Sequence, residues 1–311
     1  MRARTVLLVG AVAALVTGCS GAGSSADGAV AASPAANATA APSPSPPAPD
    51  RTPSPDPAPS PEPTPSPSAT ADPLPPGVTP APAWLGTRLL PERPDGFGEV
   101  RPTPPELVDR RFATEDLLPP PPDDTFRATT GPVPAGVAAR SSWHPRCPVA
   151  LEELAYVTVT FWGFDERPHT GDLLVNAAVA DDVVAVFRRL HEARFPLEQV
   201  RVIRADEVDA PPTGDGNVTT AFVCRPTTQA TSWSQHAYGL AIDVNPFHNP
   251  YVKGDVVLPE LASAYLDRDD HRPGMIQPGD AVTRAFAEIG WGWGGDWTSL
   301  RDWMHFSASG R

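Results

Sequence analysis

Two short stretches of this 311-residue chain carry side chains that could do chemistry together. The first is Ser234-Gln235-His236-Ala237-Tyr238-Gly239-Leu240-Ala241-Ile242-Asp243, with the pattern S-x-H-x-x-G-x-A-x-D. The second is Asp302-Trp303-Met304-His305-Phe306, near the C-terminus. His236, His305 and Asp243 offer two imidazoles and one carboxylate, a three-donor set for zinc. A fourth position left for water is the arrangement of a catalytic rather than a structural site. Both donor types are ones that zinc accepts. Asp302, three residues ahead of His305, is spaced to handle protons beside the metal. A His and an Asp seven residues apart are by themselves more often a polar contact than a metal site. Gly239 and Ala241 between them suit a backbone that passes close to a site, and the second stretch makes a chance match much rarer.

These motifs resemble those of the zinc D-alanyl-D-alanine carboxypeptidases of the VanY type, within the LAS peptidases. The resemblance runs from about Val133 to Arg311 and includes Ala241-Ile242-Asp243-Val244-Asn245-Pro246 and Asn249-Pro250-Tyr251-Val252. It implies zinc on His236, Asp243 and His305, Asp302 as catalytic base, and a peptidoglycan stem peptide as substrate. It also implies a hydrogen bond from Ser234 near the first ligand or the substrate. Relatives that cut L-Ala-D-Glu instead of D-Ala-D-Ala carry Asp before the last His, as here, so that endopeptidase activity is the alternative. A zinc-stabilised wall-binding module without strong catalysis is a third reading. An arginine near the metal can hold a substrate carboxylate by two hydrogen bonds. Family members place one in a Gly-Tyr-Arg-Ser-like turn, for which this chain has Val202-Ile203-Arg204-Ala205-Asp206. Arg225 is therefore preferred to Arg204 for that role.

The elements that must position these groups are legible in outline. Leu154 to Phe161 is rich in β-branched and aromatic residues and reads as a strand. Leu173 to Val175 and Val200 to Ile203 read as further strands. Ala177 to Arg194 carries Val179, Val183, Val186, Phe187 and Leu190 at helical spacing. Thr220 to Cys224 reads as a strand, and Pro211 to Asn217 as a loop. Gly239 to Val244 alternates, which puts Asp243 on a strand. A second helix begins at Pro278-Gly279-Asp280 and runs through Glu288. Trp291 to Gly295 reads as a strand or turn, and Trp303 to Ser307 as the last strand. Strands and helices do not alternate as βαβα, so the class is α+β. The expectation is a small antiparallel sheet with flanking helices around a zinc site, the LAS / hedgehog-type peptidase fold by the resemblance. Trp233, Trp291, Trp293, Trp297 and Trp303 crowd the two motifs, as core and as cleft wall. The histidines outside the motifs, His144, His169, His191, His248 and His271, read as polar turn or surface residues.

Composition divides the rest. Of 42 prolines, 19 fall between Pro34 and Pro82. Residues 1–19 have the form of an export signal: Arg2 and Arg4, then an apolar run from Val6 to Val16, too short for a bilayer core of about 30 Å. It ends at Val16-Thr17-Gly18-Cys19, which is similar to a bacterial lipobox with Cys19 as the lipidated residue. Cleavage of an ordinary secretory signal near Gly18 is the alternative. Residues 20–82 are mostly Ala, Pro, Ser and Thr, too poor in apolar surface to offset the entropy of ordering, and read as a disordered tether. Residues 83–131 read as a linker or ill-defined segment, with Trp84-Leu85-Gly86 and Leu107-Val108 able to dock. Residues 132–311 are the expected catalytic domain. The expected location is the outer face of the cell membrane, held by the lipid anchor, or outside the cell if Cys19 is not lipidated. After Cys19, an exported chain has Cys147 and Cys224 left, which suggests a disulfide, with two free thiols the alternative. Net charge is −13, Lys253 is the only lysine and no basic stripe occurs, so a nucleic-acid partner has no support.

Overall fold

The strand expected at Leu154 is the centre of a three-stranded antiparallel sheet. Strand β1 (Ala128–Pro132) pairs with β2 (Leu154–Trp162), and β2 pairs along its whole length with β3 (Pro168–Asn176). The structure is a computed structural model, describing residues 73–227 and 231–311, all within the unit Ser68–Arg311. Cys19 and most of the tether lie outside the described residues.

Helix α1 (Pro105–Val108) and helix α2 (Ala135–Arg140) are short. Helix α3 (Ala180–Glu192) follows a 3-10 turn at Ala177–Val179, whose start is capped by the Asn176 side chain accepting from the Ala178 N–H. Asp181 and Asp182 in its first turn and Arg189 and His191 in its last complement the helix dipole. Val183, Val186, Phe187 and Leu190 are buried on one face against β2 and against helix α4 (Ala281–Glu288). The Asp280 carboxylate caps α4 by accepting from the Thr283 N–H at 2.8 Å. Phe286 of α4 stacks on Phe306 with ring centres 3.9 Å apart, which joins this core to the C-terminal strands.

Two short strands, β4 (Gln199–Val200) and β5 (Val218–Thr219), pair in parallel. Strand β6 (Ala241–Asp243) belongs to a second antiparallel sheet with β9 (Gly292–Trp293) and β11 (His305–Ser307), in the order β6-β11-β9. A third sheet orders β10 (Arg301–Asp302), β7 (Tyr251–Lys253) and β8 (Val256–Leu258). Mixed helices and small antiparallel sheets agree with the α+β class. The strands expected at Val200–Ile203 and Thr220–Cys224 are mostly absent. Residues 221–224 instead run between β3 and the His236 turn, with Phe222 N–H donating to Leu174 O and Val223 N–H to His236 O.

The segment 83–131 is not a linker but docks, as Trp84-Leu85 and Leu107 allowed, and the tether reading of 20–82 extends too far, since residues from 73 onward belong to the same unit. Thr79 exchanges backbone hydrogen bonds with Arg111 and Ala113, each at 3.0 Å. Leu107 and Phe112 are buried in a cluster with Phe247, Leu261, Tyr265 and Met275, against which Trp84, Leu85 and Leu90 pack. Arg110 is fully buried and makes a two-point ion pair with Glu198, Nε to Oε2 at 2.7 Å and Nη2 to Oε1 at 2.6 Å. Its third nitrogen donates to Asp215 O at 2.7 Å. Asn217 Nδ2 donates to the same carboxylate at 2.8 Å, and His248 Nε2 donates to Arg110 O at 2.8 Å. Isolated apolar residues among prolines show no period in sequence, yet long-range contacts bury them. Residues 73–127 thus form an arm clamped to the rest by a buried charge network.

Candidate metal centre

The first donor sits on a turn, the second and third on paired strands. Gln235–Tyr238 is a 3-10 turn that Ser234 begins, its hydroxyl accepting from the His236 N–H at 3.3 Å. Gly239 ends the turn at φ +67°, and a Cβ there would lie 2.4 Å from Asn176 N, so only glycine fits. The chain then enters β6, where Asp243 lies directly opposite His305 of β11. Facing residues on adjacent strands hold their side chains within contact distance. The Thr220–Asp243 bridge brings Ala221 alongside, and the Ala221 carbonyl accepts from His236 Nδ1 at 2.6 Å. A carbonyl can only accept, so Nδ1 carries the proton and Nε2 presents its lone pair.

That lone pair faces the other two donors. His236 Nε2 is 3.2 Å from His305 Nδ1 and 3.2 Å from Asp243 Oδ2, and His305 Nδ1 is 3.1 Å from Asp243 Oδ1. Ligand bonds of about 2.0–2.1 Å in a tetrahedron place donors about 3.3 Å apart. The set therefore matches a metal ion in chemistry and in spacing. A proton fixed on the far nitrogen by a carbonyl is also the second-shell arrangement expected of a metal-bound imidazole. Burial alone would raise the Asp243 carboxyl, but the two imidazoles beside it hold it far below the usual range.

Asp302 lies on β10, paired with Tyr251 of β7. A Cβ at Gly294 would sit 2.5 Å from Asp302 O, so glycine is required for the backbone to approach. Asp302 Oδ1 is buried with no hydrogen-bond partner among the described residues, as is His305 Nε2. Burial, with the Asp243 charge adding to it, pushes the Asp302 carboxyl up to about 7, while His305 and Arg225 pull it down. Buried polar atoms normally have partners, and those that lack them cluster at working sites.

A cleft of 790 Å³ opens onto Asp243, lined also by Thr220, Val223 and Arg225. The hydrogen bond that the Arg225 guanidinium makes among the described residues is a long one, 3.4 Å to Pro226 O. Arg204 is exposed, pairs with Asp206 at 2.5 Å and lines a separate cavity with Arg140 and Asp172. Cys147 and Cys224 are bonded, S–S 2.07 Å, immediately before Arg225. Trp293 and Trp291 are core, whereas Trp297 lies against His305 with centres 5.5 Å apart.

Two histidines read as turn residues are buried instead. His169 bridges Asp116 at 2.8 Å and Asp165 at 3.0 Å; burial lowers its pKa, but the two carboxylates outweigh that and raise it. His248, in the Arg110 network, is lowered to about 4 by burial. The partners of His248 and the Asp116 partner of His169 lie far away in sequence, whereas Asp165, four residues before His169, is the one local sign of a paired histidine.

Residues 227–308 match the peptidase M15 family model described as D-alanyl-D-alanine carboxypeptidase. The match contains His236, Asp243, Asp302 and His305, and begins after Cys224 and Arg225. It covers about a quarter of the chain, and over that stretch the VanY-type resemblance holds. It supports a hydrolase of the peptidase class. No curated protein and no solved structure matches the chain.

Proposed function

We propose that this chain is a zinc-dependent peptidase of the LAS fold acting on peptidoglycan stem peptides, with D-alanyl-D-alanine carboxypeptidase activity. The observation that carries the reading is the convergence of His236 Nε2, His305 Nδ1 and the Asp243 carboxylate within 3.1–3.2 Å of one another. They stand beside Asp302, whose Oδ1 is buried with no hydrogen-bond partner among the described residues. Zinc held by these three residues supplies Lewis-acid polarisation of the scissile carbonyl and a lowered pKa for water. Asp302 takes the proton from the attacking water and returns it to the leaving amine, so one carboxyl serves as base and then acid. Arg225 at the cleft edge binds the C-terminal carboxylate of the peptide, which favours removal of a terminal residue over internal cleavage. The disulfide that ends at Cys224 restrains the backbone from which Arg225 projects.

The Asp at position 302, where carboxypeptidases of the resembling group carry Glu or Asp, keeps the L-Ala-D-Glu endopeptidase as second reading. Lipidation at Cys19 and a proline-rich tether would hold the enzyme at the outer face of the membrane within reach of the wall. Digestion of purified muropeptides with mass-spectrometric readout tests the proposal. Loss of one alanine from pentapeptides, abolished by chelation and restored by zinc, is expected. Cleavage between L-Ala and D-Glu would move the protein to the endopeptidase reading, and tight binding without any cleavage would leave a wall-binding module.

A further inference from the structure

The cleft that reaches Asp243 and Arg225 is lined also by residues that the family match does not include. Part of that lining comes from the arm, at Leu85, Gly86 and Leu89, and part from Ile203, Val208 and Pro212. The arm residues form a tight turn, with Leu85 N–H donating to Pro82 O and Thr87 N–H to Trp84 O. The Arg88 guanidinium stacks over the Trp84 ring at 4.1 Å, which stiffens the turn. Both ends of the turn are pinned to the 211–217 loop. Gly86 N–H donates to Asp215 Oδ2 at 2.8 Å, and Leu90 N–H donates to Pro212 O at 2.8 Å. Beneath them, the Arg110–Glu198 pair fixes the arm to β4 and holds the Asp215 carbonyl as well.

Leu85 packs partly into the core, but Leu89 stands 64 % exposed at the cleft. A single exposed leucine on a surface needs no explanation. This one is held on a turn fastened by hydrogen bonds on both sides, and it lies with Leu85, Ile203 and Val208 in the apolar part of the lining of the cleft that Arg225 and Asp243 also line.

We infer that the arm turn Trp84–Leu90 is the specificity wall of the substrate cleft, with Leu85 and Leu89 receiving an aliphatic side chain of the peptide upstream of its scissile bond. The inference rests on the peptidase reading. A peptide whose C-terminal carboxylate lies on Arg225 and whose scissile carbonyl lies at the donor centre has its upstream residues left in the remaining cleft, where this wall is. Apolar contact there is made equally in the ground state and the transition state, so it raises affinity and leaves the chemical step alone.

The test uses the full chain with zinc and a muropeptide pentapeptide. Leu89→Asp is expected to raise KM about tenfold, and Leu89→Ala about threefold, with kcat unchanged. Leu117, also exposed at 54 % but lining the separate cavity beside Arg204, serves as control: Leu117→Asp should leave both constants as they are. Calorimetric titration of the same peptide into the Asp302→Asn and Leu89→Asp/Asp302→Asn variants should show the same tenfold difference in affinity without turnover. Unchanged KM and affinity in Leu89→Asp, with the parent enzyme active, would overturn the wall and leave the peptidase reading standing. Absence of both cleavage and binding in the parent chain would overturn the peptidase reading and the wall with it.

Discussion

Two clusters of charged and polar side chains reach the same cleft, and they are satisfied to different degrees. In the Arg110 cluster every strong donor and acceptor meets a partner. The guanidinium has Glu198 and the Asp215 carbonyl, the carboxylate also has Asn217, and His248 has the Arg110 carbonyl on one nitrogen and Asn217 on the other. In the His236 cluster three acceptor-rich groups crowd together at 3.1–3.2 Å while Asp302 Oδ1 and His305 Nε2 have no partner among the described residues. A network complete in itself holds a fold together. On the proposed reading, the second network is arranged to hold a cation and to exchange a proton with substrate. The unpaired cluster is costly to bury, and the complete one lies beside it, anchoring the arm and the loop that face it.

Removing the donors should have the largest effect. His236→Ala/His305→Ala should lose the metal, from about one zinc per chain to none by elemental analysis, and with it all measurable hydrolysis. Because the cluster is incomplete without a cation, the metal-free double variant should unfold at a temperature close to that of the metal-free parent. Full zinc occupancy in the double variant would show that the two clusters do not differ in the way proposed.

Asp302→Asn comes next. The amide keeps the size of the side chain but cannot take a proton at working pH. Zinc content should hold while kcat falls by about 10² to 10⁴, the usual worth of general acid–base help. If zinc were lost as well, Asp302 would be a ligand. If turnover were near normal at full occupancy, it would have no part in the reaction.

The satisfied cluster should respond in stability instead. Arg110→Met leaves the Glu198 carboxylate buried without its cation and should cost about 3–5 kcal/mol in denaturant unfolding. The sign of its pH dependence follows from Glu198. Burial raises this carboxyl, but the Arg110 charge and hydrogen bonds outweigh it, and its folded pKa lies below the ordinary value. The stabilisation from the pair is therefore complete above the unfolded value of about 4.3 and is lost as pH falls through the lower folded value. In Arg110→Met the balance reverses, since burial alone acts on Glu198 and protonation relieves the orphaned charge. The difference between parent and variant should shrink as pH falls from 7 to 3. A constant difference across that range would mean that the ion pair is not what clamps the arm.

The unequal legibility of the two clusters in sequence has a physical cause. The donor turn is built from short-range rules: a Ser cap two residues before its N–H partner, a glycine that alone tolerates the left-handed end, and an alternating strand that carries Asp243. Each leaves a mark within ten residues, and so does the Asp302–His305 pair. The β-branched run of β2 and the apolar stripe of α3 are visible for the same reason. Arg110 and Glu198 are 88 residues apart, and nothing near either indicates the other. In the arm, Trp84-Leu85 and Leu107 stand out in sequence as residues able to dock and they do pack, but its apolar residues are scattered among prolines with neither a helical nor a strand period, so its path is not legible. The separation of Asp243 and His305, 62 residues, would have been just as opaque had each not lain in a recognisable motif.

The smallest effect sharpens the comparison by separating a cap that holds a donor from one that does not. Ser234 and Asp280 both begin a helical turn with a side-chain oxygen accepting a backbone N–H, from His236 and Thr283 respectively. Replacing such a cap with alanine costs about 0.5–2 kcal/mol, so Ser234→Ala and Asp280→Ala should lower stability by similar amounts. Of the two turns, the Ser234 turn carries the proposed metal donor His236. Loosening it lets the His236 ring move relative to Asp243 and His305, and second-shell loss of this kind typically weakens metal binding by about 10- to 100-fold. Ser234→Ala should therefore lose zinc at a chelator concentration that Asp280→Ala and the parent withstand, with KM for the peptide unchanged once zinc is restored in excess. If instead KM rose at full zinc occupancy while metal affinity held, the Ser234 hydroxyl would belong to the substrate and the turn would be held by Gly239 and the Ala221 carbonyl alone.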